Sequence, residues 1–279
     1  MEKKRNSQSR TKTVQAGTRF LLENAPIQPA LKFRIEEAYK SIRANIMFSV
    51  MKKGCKRIIV SSSMPNEGKT TTTVNLAVSI SQADQRVLLI DGDLRKPKIH
   101  HYFSVPNSPG LTNYLSNIIS GRGNMDLFGV IRPTEYKNLC ILSSGSIPPN
   151  PAELLGSEIM SEFLDEVSKD FDYIIIDTPP VNVVSDALPL IRESDGVVLV
   201  VRSNQSSHPE LQKALSALEF IDAKILGFVV NHVETKSNRM YTNGTYGGYK
   251  YGYSAYGGYS YKSSRGSRYK NNTPYDPRS

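Results

Sequence analysis

Between residues 57 and 231, short apolar runs alternate with longer amphipathic runs, and this pattern constrains the fold more than any other feature of the chain. The short runs predict strands at 57–63, 86–91, 139–142, 172–177, 196–201 and 225–231. The longer runs predict helices at 69–81, 152–169 and 208–220. Because the strands are apolar throughout, they are expected to be buried on both faces. The sequence therefore predicts an α/β fold with a doubly wound, mostly parallel sheet.

The two ends of the chain differ in composition from this middle part. Residues 1–32 are polar and aperiodic and predict a flexible arm, which a helix follows at 33–50. Residues 237–279 contain ten of the fifteen tyrosines and almost no aliphatic side chains, which predicts a disordered tail. Residues 33–236 are then expected to form the folded domain.

The net charge of +9 is concentrated in these ends. Residues 1–33 carry seven Lys/Arg and two Glu (+5), and residues 237–279 carry seven Lys/Arg and one Asp (+6), so the middle is −2. A nearly neutral folded part argues against a basic nucleic-acid groove. The polar start of the chain and the lack of a long apolar run predict a cytoplasmic protein. Cys55 and Cys140, far apart in sequence, fit a reducing compartment.

A phosphate-binding loop is predicted between the first strand and the helix that follows it. The segment reads Ser63-Met-Pro-Asn-Glu-Gly-Lys-Thr70, with a strand before it and a helix after it. Backbone N–H groups at a helix N-terminus bind phosphate oxygens. Lys69 would add a positive charge and Thr70 a hydroxyl for Mg²⁺. The strict motif has Gly where Ser63 stands, so a chance Gly-Lys-Thr in a strand-to-helix turn is the alternative.

Three aspartates stand at the ends of predicted strands. Asp177 ends the run 173–177, while Asp91 and Asp93 lie two residues apart after 88–90 and point the same way if the backbone is extended. Ligands bind at the carboxyl ends of parallel strands, where carboxylates hold Mg²⁺ or accept a proton. Each aspartate alone could cap a strand or belong to an ordinary turn. Together with the phosphate loop they favour a nucleotide site.

These motifs resemble the bacterial tyrosine kinases of capsule and exopolysaccharide systems, the CpsD/CapB type. The resemblance covers about residues 33–236 and the tail, and it depends on residues 65–70, 91–97, 145–155 and 176–180. It implies a P-loop fold of the MinD/NifH type and a kinase that uses ATP and Mg²⁺. The implied nucleotide-binding residues are Pro65, Asn66, Glu67, Gly68, Lys69, Thr70, Thr71 and Asn231. The implied catalytic residues are Lys69, Asp93 and, as the base, Asp91; the implied metal site comprises Thr70, Asp93 and Asp177.

The resemblance also implies self-modification and a set of partners. Autophosphorylation, in trans within a ring-like homo-oligomer, is expected at Tyr246, Tyr249, Tyr251, Tyr253, Tyr256, Tyr259 and Tyr261. The ring contact of the family is a Glu-x-x-Arg-x-x-Arg helix, here Glu37, Lys40 and Arg43, with Lys in place of the first Arg. A separate transmembrane adaptor would activate the kinase and hold it at the inner face of the plasma membrane. Protein-tyrosine substrates and a cognate phosphatase are the other expected partners, and control of polysaccharide synthesis and export is the expected role.

Two other functions fit parts of the sequence. A positioning ATPase of the ParA/MinD kind would share the fold, but those proteins resemble Lys-Gly-Gly-x-Gly-Lys-Thr, and Met64 stands where their second lysine lies. A binding or structural module with an adhesive Gly/Tyr tail would explain the tail but not the phosphate loop. The eukaryotic kinase motifs His-Arg-Asp and Asp-Phe-Gly are absent from the sequence.

Overall fold

The computed structural model describes residues 29–121 and 126–233, which contain a seven-stranded sheet. The strands are β1 (Lys56–Ser62), β2 (Val87–Asp91), β3 (Arg132–Pro133), β4 (Leu139–Leu142), β5 (Tyr173–Asp177), β6 (Gly196–Arg202) and β7 (Ile225–Asn231). Their spatial order is β3-β4-β2-β5-β1-β6-β7, and every neighbouring pair is parallel except β3 and β4. The predicted mostly parallel sheet is confirmed.

Helices cover both faces of this sheet. They are α1 (Pro29–Ser49), α2 (Lys69–Ser81), α3 (Ile99–Tyr102), α4 (Leu111–Ile119), α5 (Leu127–Val130), α6 (Pro151–Leu155), α7 (Glu158–Val167), α8 (Ala187–Arg192) and α9 (His208–Phe220). Successive strand residues point to opposite faces. Ile59 accordingly packs in a core with α4, α7, α8 and α9, whereas Ile58 and Val60 pack in a second core with α1 and α2. The doubly wound arrangement is therefore confirmed as well.

Two helix predictions need correction, and one helix was not predicted. The predicted helix 152–169 is two helices, because Gly156 ends α6 and the Ser157 hydroxyl caps α7 by accepting a hydrogen bond from the Met160 N–H. Helix α1 begins at Pro29, so residues 29–32 are helical and not part of a flexible arm. Helix α4 was not predicted, although Leu111 and Leu115, four residues apart, are both fully buried.

Predictions for the ends of the chain lie outside the described residues. These are residues 1–28 of the arm and the tail 237–279, with all seven expected autophosphorylation tyrosines. Within residues 29–121 and 126–233, none of the helices combines the length and the apolar character needed to cross a membrane.

The central strands bring the predicted site together. In the parallel register, Asp177 of β5 lies beside Val60 of β1 on one side and beside Asp91 of β2 on the other. Gly92 continues this contact, because its N–H donates to the Asp177 carbonyl at 2.8 Å. A Cβ at position 92 would lie only 2.8 Å from that carbonyl oxygen. The glycine between the two acidic residues therefore lets the ends of β2 and β5 approach each other.

Candidate nucleotide-binding and phosphoryl-transfer site

The phosphate loop, residues 63–70, leads from β1 into α2. Helix α2 begins at Lys69, as predicted, and Gly68 precedes it in the left-handed region with φ 95°. The side-chain amide of Asn231, at the end of β7, packs over Gly68, so that a Cβ there would lie 2.0 Å from Nδ2. Glycine is thus required at position 68 both by its backbone conformation and by this close approach.

Lys69 lies among the predicted acidic residues. Its Nζ donates to Asp93 Oδ2 at 3.0 Å and lies 3.7 Å from Asp177 Oδ2. Burial lowers the pKa of Lys69, but the negative charges of Asp177 and Asp93 raise it by more, so the net shift is upward. The amine therefore stays protonated and can neutralise a further negative charge at this position.

Asp177 is held by two hydroxyls of α2. Its Oδ2 accepts from Thr70 Oγ1 at 2.7 Å, and its Oδ1 accepts from Thr73 Oγ1 at 3.0 Å. The side chain is 1% exposed, and this burial raises its pKa despite the attraction of Lys69. Thr73 was not among the predicted site residues; it lies one helical turn after Lys69 and faces the same carboxylate.

Asp91 and Asp93 occupy different environments although only one residue separates them. Asp93 pairs with Lys69 and accepts the Lys96 N–H at 3.1 Å. Asp91 is fully buried; its Oδ2 accepts the N–H groups of Lys98 and Ile99 at 2.9 Å each, while its Oδ1 has no hydrogen-bond partner. Burial raises the pKa of Asp91 to about 8, and the Asp177 carboxylate adds to the effect.

The oxygen donors of this site suit a magnesium ion. The Thr70 hydroxyl and the Asp93 and Asp177 carboxylates are hard ligands that lie close together, and Asp91 Oδ1 is a buried acceptor without a donor. Across residues 29–121 and 126–233, no three Asp, Glu, His or Cys side chains form a metal site by themselves. Water and phosphate oxygens would have to supply the other ligands, as is usual for Mg²⁺ in nucleotide sites.

Comparison with known proteins agrees with this geometry. The family model of an AAA domain matches residues 55–227. Tyrosine-protein kinase YwqD of Bacillus subtilis is 40% identical over 211 residues, which cover 76% of this chain and 86% of that protein. The solved kinase domain of Escherichia coli tyrosine kinase ETK is 31% identical with a TM-score of 0.66, covering 75% of this chain and 80% of that one.

The chain belongs to the bacterial tyrosine kinases of the CpsD/CapB type. It is therefore a protein-tyrosine kinase with a P-loop nucleotide-binding fold. The septum site-determining protein MinD of Pyrococcus horikoshii has a TM-score of 0.51 at 24% identity, so it shares the fold alone. These similarities decide between the two enzymes considered above in favour of the kinase.

The remaining nucleotide-binding predictions for this kinase fall into two groups. Pro65 and Asn66 are exposed on the phosphate loop, and the Asn231 amide donates to the Glu67 carbonyl at 3.2 Å. By contrast, the side chains of Glu67 and Thr71 make hydrogen bonds to other side chains of the protein. The Thr71 hydroxyl lies 2.8 Å from the Tyr102 hydroxyl, and the Glu67 carboxylate is 1% exposed. Contact of these residues with a nucleotide stays a prediction.

Sequence reasoning missed an ion pair that holds the loop after β2. Arg95 Nε and Nη2 donate to the two carboxylate oxygens of Asp186 at 2.6 and 3.1 Å. Asp186 is 2% exposed and precedes α8. Arg95 lies within the motif 91–97, but no local signal in the sequence connects it to a residue 91 positions away. The pair ties the segment after Asp93 to the segment that follows β5.

The predicted oligomer contact residues all lie on α1. Lys40 and Glu37 form an exposed ion pair at 2.8 Å, a contact of small energetic value. Arg43 Nη1 donates to the Ser79 carbonyl of α2 at 2.5 Å, within the same chain. Arg43 thus helps to hold α1 against α2, and a role of these residues in a ring stays a prediction.

Proposed function

We propose that this kinase transfers the γ-phosphate of ATP, bound with Mg²⁺, to tyrosines of its own C-terminal tail, in trans within a homo-oligomer. The proposal depends on one observation above all: Lys69 at the start of α2 contacts Asp93 and approaches Asp177 beside the buried Asp91. A cation at a helix N-terminus with carboxylates around it is the arrangement that phosphoryl transfer requires. The tail supplies the acceptors, since ten tyrosines lie in residues 237–279.

The transfer would proceed by one displacement. The tyrosine oxygen attacks the γ-phosphorus, the bond from that phosphorus to the β–γ bridging oxygen breaks, and ADP leaves. Lys69 would neutralise charge on the phosphates, and bound Mg²⁺ would supply further positive charge there. Asp91 is the proposed acceptor of the phenolic proton through its unpartnered Oδ1.

Asp91 has to be ionised for this role. Its raised pKa arises first from burial and then from the Asp177 carboxylate. Pairing of Asp177 with a cation would therefore return Asp91 towards its ionised form. The acidic residues of the site thus depend on each other, and occupancy at Asp177 would prepare Asp91 as a base.

Phosphosite mapping tests the proposal. Full-length protein is incubated with Mg·ATP and its activating partner, and tyrosine phosphorylation is mapped by mass spectrometry beside Lys69→Met protein. Phosphate is expected on tail tyrosines, with a loss of at least about 10³-fold in the variant because a major charge on the phosphates is gone. Wild-type protein that releases inorganic phosphate and leaves every tyrosine unmodified would refute the proposal.

Isotope labelling separates the trans reaction from a reaction within one chain. Unlabelled wild-type protein is mixed with ¹⁵N-labelled Lys69→Met protein. Phosphate on ¹⁵N tail peptides can come only from another chain and is the expected result. If only unlabelled peptides are modified, the oligomer is not needed for the reaction.

We also propose that a separate membrane-spanning adaptor activates the kinase at the inner face of the plasma membrane, and that the kinase controls capsular or exopolysaccharide synthesis and export. A cognate phosphatase would remove the phosphate groups from the tail tyrosines. Support comes from the resemblance in residues 145–155 and 176–180 and from the identity to YwqD. In cells that carry the Lys69→Met protein, polysaccharide output should change. Membrane recruitment that persists in cells without an adaptor would contradict the adaptor proposal.

A further inference from the structure

The side chain of Glu67 is buried in the protein, where its carboxylate is bound by other protein groups. One carboxylate oxygen accepts hydrogen bonds from the hydroxyls of Ser63, at 2.9 Å, and Ser206. The other accepts from the Met64 N–H at 2.9 Å and from Ser63 at 3.1 Å. Both oxygens of this buried carboxylate are therefore satisfied by neutral donors, and one donor comes from the segment between β6 and α9.

The end of β6, next to this segment, also holds the backbone of the phosphate loop. Arg202 Nη1 donates to the Asn66 carbonyl at 3.1 Å, and the Arg202 N–H donates to Ser206 Oγ at 2.7 Å. The next carbonyl, that of Glu67, accepts from Asn231. Two successive carbonyls of the loop are thus bound by side chains of the last residues of β6 and β7.

The orientation of these carbonyls determines the direction of the amides. In a trans peptide the N–H points opposite to the C=O of the same unit. When Arg202 and Asn231 hold the carbonyls of Asn66 and Glu67, the N–H groups of Glu67 and Gly68 point to the other side of the loop. That side is where backbone N–H groups of a phosphate loop bind phosphate oxygens.

We propose that Glu67, Arg202 and Ser206 form a support cluster that orients the phosphate loop, so that its affinity for nucleotide depends on the end of β6 and on the turn that follows it. The three side chains act on the loop through the hydrogen bonds they make within the protein, so they are positioning residues. The inference rests on the proposed function only in that the loop binds a nucleotide. Arg202 and Ser206 are new assignments, and the Glu67 side chain is assigned a supporting role in addition to the predicted place of Glu67 in the nucleotide site.

Nucleotide affinity provides the test. Calorimetric titration of the full chain with Mg·ADP compares wild-type protein with Glu67→Ala, Arg202→Ala, Ser206→Ala and Glu67→Gln. Gln205→Ala is the matched control, because Gln205 is exposed in the same turn and none of the observed side-chain contacts involves it. All titrations are made well below the unfolding temperature of each variant, and kinase activity is measured in parallel.

The expected effects follow from lost charge-assisted hydrogen bonds. Glu67→Ala and Arg202→Ala should raise the Kd for Mg·ADP and the KM for ATP about tenfold, with kcat at saturating ATP changed less than about threefold. Glu67→Gln should recover most of the affinity, because serine hydroxyls can accept as well as donate. The double variant Glu67→Ala/Ser206→Ala should bind about as weakly as Glu67→Ala alone, because Glu67→Ala already removes the hydrogen bond between Glu67 and Ser206.

Two results would overturn the inference. If Glu67→Ala and Arg202→Ala bind Mg·ADP as wild-type protein does while their unfolding temperatures fall, the cluster only stabilises the fold. If Glu67→Ala does not fold, the Kd of Arg202→Ala alone tests the inference, because Arg202 is partly exposed and its substitution should be tolerated by the fold. Wild-type protein that binds no Mg·ADP would refute the proposed function and the inference with it, whereas normal binding in both variants would refute only the inference.

Discussion

The phosphate loop, residues 63–70, and the acidic loop, residues 91–99, each contain a buried carboxylate, but the two carboxylates differ in their hydrogen bonding. Glu67 is 1% exposed and both of its oxygens accept hydrogen bonds, whereas Asp91 is 0% exposed and one of its oxygens accepts none. An unsatisfied buried polar atom costs free energy, so its presence in a native protein calls for an explanation. The difference suggests that Glu67 completes a support, while Asp91 keeps an acceptor available for chemistry.

Substitution of the two acids by their amides should give the largest contrast. Asp91→Asn removes the proposed base and should lower kcat by about 10²- to 10⁴-fold, the usual contribution of general acid–base catalysis. Glu67→Gln keeps a hydrogen-bonded amide and should leave kcat within about threefold of the wild type. Steady-state phosphorylation of a tyrosine peptide at saturating Mg·ATP measures both.

The comparison fails if the two amides have equal effects on kcat. Equal large losses would place Glu67 in the chemistry, and equal small losses would mean that Asp91 is not the base. Asp93→Asn separates these cases from a general electrostatic effect, because Asp93 pairs with Lys69 and keeps that contact in part as an amide.

The glycines of the two loops differ in what surrounds them. A Cβ at Gly92 would lie 2.8 Å from the Asp177 carbonyl and 2.9 Å from Ile176 Cγ2, whereas Gly68 faces the end of the Asn231 side chain. The Asp177 backbone cannot rotate away as the end of a side chain can, so Gly92→Ala should force β2 away from β5. The free energy of unfolding should fall by about 1–3 kcal/mol, as at other overpacked sites. The unfolding temperature should therefore fall by roughly 2–4 °C for each kcal/mol lost.

Gly129→Ala is the control for that experiment. Gly129 lies in α5, and the nearest atom to a Cβ there is Asp126 Cβ at 3.8 Å, an ordinary contact. Its unfolding temperature should change little or rise slightly, since alanine favours helix. A Gly92→Ala protein as stable as this control would show that the acidic loop tolerates more separation than the contact distances imply.

The two loops also show how far the sequence alone determines the site. The bounds of α2 and the positions of Lys69, Asp93 and Asp177 follow from local patterns: periodicity, a helix start after Gly68, and acids at strand ends. The direction of the Glu67 side chain does not, because its partner Ser206 is 139 residues away and is an ordinary turn residue in sequence. The different environments of Asp91 and Asp93 also depend on tertiary structure. Asp91 accepts hydrogen bonds from the backbone at Lys98 and Ile99, and Asp93 pairs with Lys69.

The smallest expected effect is a pH-dependent difference in stability between wild-type protein and Asp91→Asn. The pKa of Asp91 is about 8 in the folded protein, whereas an aspartate in an unfolded chain titrates near 3.9. Between these values the folded state binds a proton that the unfolded state does not, so the free energy of unfolding falls as pH rises towards 8. The stabilising contribution is present at acidic pH and lost at alkaline pH.

Asparagine cannot take part in this titration. The unfolding temperature of Asp91→Asn, measured without nucleotide or divalent ions, should therefore rise relative to the wild type by a few degrees between pH 6 and pH 9. Gln205→Ala keeps Asp91 and is the control: its unfolding temperature should follow that of the wild type at every pH. A constant difference across this range would mean that Asp91 does not titrate between pH 6 and pH 9, which would contradict a pKa of about 8 in the folded protein.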